Sequence, residues 1–180
     1  MLYQPFPGND YKVIYADPPW SYNDKAAAGN RGASFKYPTI HLKDLYNLPV
    51  GSIASANCAL FMWATAPLLP DAFKLIEAWG FAYKTVAFTW VKKNKVADSY
   101  FWGMGNYTRA NAEYVLLGIK GKPKRVAANV HSVVDSKIRR HSHKPDEVRD
   151  RIVDLMGNVK RIELFARDRY EGWDVWGNEV

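Results

Sequence analysis

Two adjacent prolines set the first firm limit on this fold. Pro18 and Pro19 follow the short apolar run Lys12-Val-Ile-Tyr-Ala16. Neither can donate a backbone N–H, so a central strand carrying that run must end at Asp17. Residues 57–63, Asn-Cys-Ala-Leu-Phe-Met-Trp, are apolar almost throughout, as in strands covered on both faces. Residues 67–79 then place Leu68, Ala72, Leu75, Ile76 and Trp79 at close to helical spacing, with Gly80 as the expected C-terminal cap. Further strands are expected at 81–91, 113–119 and 161–166. A helix is expected at 145–156, with Pro145 in its first turn and Gly157 at its end. Strands separated by helices predict an α/β sandwich around a mostly parallel sheet, whose ligands sit at the carboxyl ends of strands. A long connection at 92–110, rich in Gly, Asn and Lys, interrupts the alternation.

The 180 residues are enough for one domain, 1–180, and 48% hydrophobic against 24% charged residues is a globular balance rather than a disordered one. No stretch approaches the ~18 unbroken apolar residues of a membrane span, and residues 1–7 lack the pattern of a secretory signal. A cytoplasmic protein is therefore expected. Cys58 is the only cysteine, which excludes an intramolecular disulfide and a multi-cysteine metal cage. His141-Ser-His143 has a spacing that metals accept, but it has no cysteine partner and sits among cations, so no metal is expected.

A formal net charge of +7 favours a polyanionic partner. The charge is concentrated. Residues 120–144 hold eight basic side chains, Lys120, Lys122, Lys124, Arg125, Lys137, Arg139, Arg140 and Lys144, against one acid, Asp135. The run reads as a footprint for phosphates or as a solvated basic loop. The seven Trp and eleven Tyr residues tilt the reading towards nucleic acid, because stacked bases need planar rings beside cations, although most of these rings must serve the core.

Asp17-Pro18-Pro19-Trp20 lies where an α/β site is expected, at the carboxyl end of the first strand. As a bare string it could be a proline turn. Amino-methyltransferases carry Asp, Asn or Ser followed by Pro-Pro-aromatic at this place, and the reason is chemical. The exocyclic amine of adenine is a poor nucleophile, since its lone pair is delocalised into the ring. A carboxylate and a backbone carbonyl accepting its two N–H groups draw the nitrogen towards tetrahedral geometry and stabilise the positive charge it gains on attacking a methyl sulfonium. Asp17 and the Pro18 carbonyl suit those roles, Pro19 stiffens the turn, and Trp20 is expected to offer a stacking face to a base flipped from its duplex.

Five ordered blocks, Val13-Ile-Tyr-Ala-Asp-Pro-Pro-Trp20, Glu113-Tyr-Val-Leu-Leu-Gly118, Ser142-His-Lys-Pro-Asp146, Glu163-Leu-Phe-Ala-Arg167 and Gly172-Trp-Asp-Val-Trp-Gly-Asn-Glu179, resemble the MT-A70 adenine-N(6) methyltransferases. The resemblance runs from Asp10 to Val180 and looks most like the small bacterial and phage branch. It implies a Rossmann-like, S-adenosylmethionine-dependent methyltransferase fold, with helices on both faces of the sheet and a circularly permuted motif order.

By position, the resemblance implies that Lys144 contacts the methionine carboxylate of S-adenosylmethionine. It places Asp17, Ser142, His143, Glu163, Phe165 and Arg167 about the cofactor, and gives its adenine and ribose to Asn178 and Glu179. On the substrate side it implies Tyr37, Lys92, Tyr107, Arg109, Asn111 and Glu113, to which the basic run adds Lys122, Lys124 and Arg125. Each has a plainer alternative: Arg109 a phosphate anchor, Asn111 a turn residue, Glu113 a strand-start polar group, Phe165 a core ring. The chain departs from the eukaryotic pattern at Asp168-Arg169-Tyr170, where those enzymes have a His-Asn pair at the ribose. The implied activity is methyl transfer to adenine N(6) in nucleic acid, DNA ahead of RNA. A catalytically inactive nucleic-acid-binding module and a different amino acceptor are the competing readings.

Overall fold

The computed structural model describes residues 4–20, 40–139 and 143–180. Among them seven strands form one sheet in the order β5-β3-β4-β2-β1-β6-β7. These are β1 (Tyr11–Ala16), β2 (Ala54–Ala64), β3 (Ala82–Lys93), β4 (Glu113–Lys120), β5 (Val133–Lys137), β6 (Arg161–Leu164) and β7 (Asp174–Trp176). Helices α1 (Leu42–Asn47), α2 (Val50–Ile53), α3 (Leu69–Ala78) and α4 (Glu147–Met156) complete the order, with a 3₁₀ turn, Ala66–Leu68, leading into α3. Pairing is parallel for β1 with β2 and β6, for β3 with β5, and for β6 with β7; only β4 is antiparallel to its neighbours, β2 and β3.

The apolar runs read as they do because successive side chains on a strand point to opposite faces, and here both faces are covered. Ile14, Ala16, Leu60, Met62, Ala64 and Leu116 pack with Leu45, Val50, Leu75 and Ile76 from α1 to α3. Val13, Tyr15, Ala59, Phe61, Trp63 and Val115 pack instead with Val148, Ile152 and Met156 of α4. The expected sandwich is therefore present, with β1 and β2 at its centre.

Helix ends follow their punctuation with one shift. Gly80 has φ +84°, its N–H donates to the Glu77 carbonyl at 2.9 Å and that of Phe81 to Ile76 at 3.0 Å, a complete Schellman cap. The last helix starts at Glu147, two residues later than expected, with Asp146 at its N-cap and Pro145 outside it. Strands β5 and β7 and helices α1 and α2 were not anticipated. β5 offers only two apolar residues, β7 is three residues long, and α1 and α2 span six and four residues, so none carries a full period of its own pattern.

Register fixes which residues share an edge. Ala16 lies opposite Met62 and Leu164, Ala64 opposite Tyr114, Trp90 opposite Glu113, and Lys93 opposite Lys137. The carboxyl ends of the parallel strands and the first residue of β4 thus meet along one edge. Cys58, Ala82 and Lys120 stand along the other.

Candidate active site

Asp17 follows the last residue of β1 at the shared edge. After it the chain turns tightly: the Trp20 N–H donates to the Pro18 carbonyl at 2.8 Å, and the Ile40 N–H to that of Pro19 at 3.1 Å. Pro18 thereby keeps one carbonyl lone pair for another donor. Trp20 stands differently from expectation. Its side chain is only 6% exposed, packs in the core with Leu45 and Met62, and donates its indole N–H to the Trp63 carbonyl at 3.3 Å. As placed, its ring is a core element rather than an open stacking face.

Lys144 reaches the same spot from the segment before α4. Its ammonium lies 3.4 Å from Asp17 Oδ2 and 3.0 Å from Glu113 Oε2, and 5.4 Å from the Trp63 ring centre. Glu113 also takes Lys92 at 2.5 Å. These contacts separate the two carboxylates. Burial raises Asp17 above the ordinary aspartate value, with Lys144 only partly opposing it and Glu113 adding to it. Burial would raise Glu113 too, but Lys144 and Lys92 together hold it down to about 2. Lys144 itself is raised: burial works against its charge, and Asp17 and Glu113 outweigh it.

A small cleft, open in part to solvent, begins at Asp17. His143, Lys144, Glu163, Phe165 and Arg167 line it, so six of the residues assigned to the cofactor converge. Phe165 has φ +60°, a left-handed conformation that aromatic residues rarely adopt, and its ring packs against Trp176 and Trp79. Arg167 meets Glu179 at 3.7 Å. Asn178 is exposed and does not line the cleft. Ser142 and Tyr37 lie outside the described residues.

Two lining residues, Tyr15 and Arg149, have no place among the expected site residues, and a third, Asp168, stands where the chain departs from the eukaryotic pattern. Arg149 is buried, bonds both oxygens of Glu163 at 2.7 and 2.6 Å, and lies 3.8 Å from the Tyr170 ring centre. Tyr170 donates its hydroxyl to Asp146 at 2.9 Å, which also holds Arg139 and Arg149. The departure at 168–170 is thus absorbed into a lattice that braces one wall of the cleft. The available signal was an arginine beside Val148 on the buried side of an amphipathic helix, a place that only a paired cation occupies.

The substrate-side residues divide. Lys92 and Glu113 stand at the site. Asn111 is consumed at the root of the 94–112 connection: its Oδ1 accepts the Lys92 N–H at 2.8 Å, and its amide donates to the carbonyls of Lys92 at 2.9 Å and Phe101 at 2.6 Å. Arg109 donates to the carbonyls of Gly103 and Trp102, both at 3.0 Å, and Tyr107 is fully exposed. Lys122, Lys124 and Arg125 do not join them. They follow Lys120, at the end of β4 remote from Glu113, and the Lys122 N–H is held by Asn57 near the start of β2. At about 3.3 Å per residue that is some 20 Å or more from Asp17. The basic run is contiguous in sequence and split in space: β5 carries the chain back to the active edge, where Lys137, Arg139 and Lys144 stand. Among the described residues no cluster of His, Cys, Asp or Glu could hold a metal ion, and no helix is long and apolar enough to cross a membrane.

The family model described as MT-A70 matches residues 11–179. The chain is 41% identical to the type II methyltransferase M.MunI of a Mycoplasma species over 99% of its own length and 82% of that protein's. It is 30% identical to the N(6)-adenosine-methyltransferase MT-A70-like protein of Arabidopsis thaliana, and 26% identical to the human N(6)-adenosine-methyltransferase catalytic subunit METTL3. Both of those matches cover 94% of this chain, which spans only about a quarter of their length, 24% and 28%.

Proposed function

The chain belongs to the MT-A70 family, and from that premise we propose that it transfers the methyl group of S-adenosylmethionine to the exocyclic N(6) of adenine in DNA. That it is a methyltransferase follows from its family and its relatives; the substrate and the roles of its residues are the proposal. DNA is favoured over RNA because type II methyltransferases modify DNA, and the match to one covers most of both chains. The likeness to a Mycoplasma enzyme makes the cytoplasm of a bacterial or phage-infected cell the proposed place of work.

The observation that carries the reading is Asp17 at the carboxyl end of β1, where the cleft begins, joined by Lys144 to Glu113. The residues present suit S-adenosylmethionine. Lys144 offers a fixed cation to its carboxylate, Phe165 an aromatic face to its adenine, and the acids Asp168 and Glu179 stand close by. When bound, it supplies an electrophilic methyl group on a sulfonium.

Asp17 and the Pro18 carbonyl accept the two N–H groups of the target amine and orient its lone pair. As the nitrogen gains the methyl it becomes cationic, and the Asp17 carboxylate is the near counter-charge. The excess proton then has two carboxylates to choose between. Glu113, held at about 2, stays ionised, whereas Asp17, raised by burial, is the better acceptor. Incubating DNA and RNA separately with the enzyme and methyl-labelled cofactor, then resolving the nucleosides by mass spectrometry, tests the proposal. Label in N(6)-methyladenine from DNA is expected; label confined to RNA, to cytosine or to protein would overturn it.

A further inference from the structure

Residues 94–112, which connect β3 to β4, fold back on themselves twice as a hydrogen-bonded double hairpin. Lys93 and Tyr100 form an antiparallel bridge, and the Asn94 N–H donates to the Ser99 carbonyl at 2.8 Å. The chain then returns, and Gly103 and Ala110 exchange hydrogen bonds of 2.7 and 3.2 Å. Arg109 folds back onto the carbonyls of Gly103 and Trp102, while Asn111 clamps the root through three hydrogen bonds. Within the tip a Cβ at Gly105 would stand 1.9 Å from the Thr108 carbonyl oxygen, so the turn admits only glycine.

This finger presents apolar groups to water. Met104 is 85% exposed and Tyr107 fully so, with Trp102 and Tyr100 half exposed along its side. Its root touches the site, since Glu113 meets Lys144, which meets Asp17. Residues 92–111 carry Lys92, Lys93, Lys95 and Arg109 against a single acid, Asp98. An apolar tip on a basic root beside a base-sized chemistry fits the interior of a nucleic-acid stack better than a second protein surface.

We propose that the finger is a wedge: Tyr107 and Met104 enter the duplex beside the target adenine and fill the space that the adenine leaves when it turns into the cleft. The inference rests on the function proposed above, and it adds the step that opens the helix. Only a duplex needs that step, because a single strand or an unpaired adenine presents its base without the cost of unstacking and unpairing.

The test uses the full chain carrying Tyr107→Ser and Met104→Ser, with circular dichroism showing it folded. The substrates are a duplex containing a site mapped on DNA that the parent has methylated, the same strand alone, and the duplex with the adenine facing an abasic position. The variant should methylate the paired duplex about tenfold or more slowly than the parent, and lose several-fold less on the other two substrates than on the duplex. Replacing the target by 2-aminopurine should give a fluorescence rise on duplex binding by the parent and little by the variant. An unchanged duplex rate, or an equal loss on all three substrates, would overturn the wedge. So would a loss that tracks a change of oligomeric state in sedimentation, which would make the finger a contact between copies. A parent that methylates none of the three overturns the proposed function itself.

Discussion

The Lys144 ammonium and the Asp17 carboxylate stand 3.4 Å apart, joining the segment before α4 to the end of β1. With Glu113 on its other side at 3.0 Å, Lys144 is fixed by two carboxylates. A lysine so held stays charged across the working pH range, which is what an anion-binding point charge requires.

Cofactor binding should therefore depend on this lysine. In the parent, S-adenosylmethionine at a hundred times its dissociation constant should add about 2.7 kcal/mol of stability, read as a rise in melting temperature. Lys144→Met should lose most of that rise at the same concentration, with calorimetry showing the matching loss of affinity. A variant that shifts as the parent does would place the carboxylate-binding cation elsewhere.

Acid stability should report Glu113. Its folded value of about 2 lies below its ordinary 4.5, so the stability it contributes is fully present above pH 4.5 and is lost as pH falls from there towards 2. In urea unfolding, the gap between the parent and Glu113→Gln should be wide at pH 7 and mostly closed near the folded value. A gap that does not change with pH would mean that Lys92 and Lys144 do not hold the carboxylate in solution.

Salt dependence should separate the two halves of the basic run. Replacing Lys122, Lys124 and Arg125 by alanine should leave the slope of log affinity against log salt for DNA unchanged, because these residues sit at the edge remote from Asp17. Replacing Lys95 and Lys137, at the active edge, should make that slope shallower by about 0.9 for each phosphate the two lysines neutralise. The reverse result would put the duplex across the far edge.

Trp20 should behave as a core residue. Trp20→Ala should cost about 3–5 kcal/mol of stability, while Trp20→Phe should cost less and keep turnover in conditions where it is folded. Chemical denaturation run beside the methyl-transfer assay separates the two effects. A stable Trp20→Ala protein with a raised KM would return the ring to the substrate.

The sheet centre was legible in the sequence because β1 and β2 are covered on both faces, and an apolar run closed by Pro18 and Pro19 admits few other readings. β5 was not, since Val133-Val-Asp-Ser-Lys137 alternates too little to mark a strand, yet it decides where the basic run goes. The Asp17, Lys144 and Glu113 meeting was legible only through the family motifs. No local pattern links three residues whose meeting depends on the register of β1, β2 and β4. Arg149 and Glu163 lie fourteen positions apart on a helix and a strand, and only packing shows that one neutralises the other. The burial of Trp20 depends likewise on groups distant in sequence, Leu45, Met62 and the Trp63 carbonyl.

Asp17→Asn separates catalysis from architecture. An amide has nearly the carboxylate's shape, so the turn at Pro18 and the cleft beyond it should persist. What changes is charge: the amide can turn an N–H towards the target amine, and it leaves the cationic nitrogen without its counter-ion. Removing one such electrostatic interaction typically lowers the rate by about 10²–10³. Stability should move the other way. Because burial raises Asp17 in the folded protein, its ionised form opposes folding at neutral pH, and removing the charge should leave the melting temperature at least as high as the parent's. Single-turnover methyl transfer to an adenine-containing duplex, calorimetric binding of cofactor and thermal unfolding together decide the matter. A folded variant that binds cofactor yet transfers methyl at least a hundredfold more slowly is the expected outcome, about the lower end of that range. Transfer at the parent's rate would remove Asp17 from the chemistry, and a sharp drop in melting temperature would make its pairing with Lys144 structural.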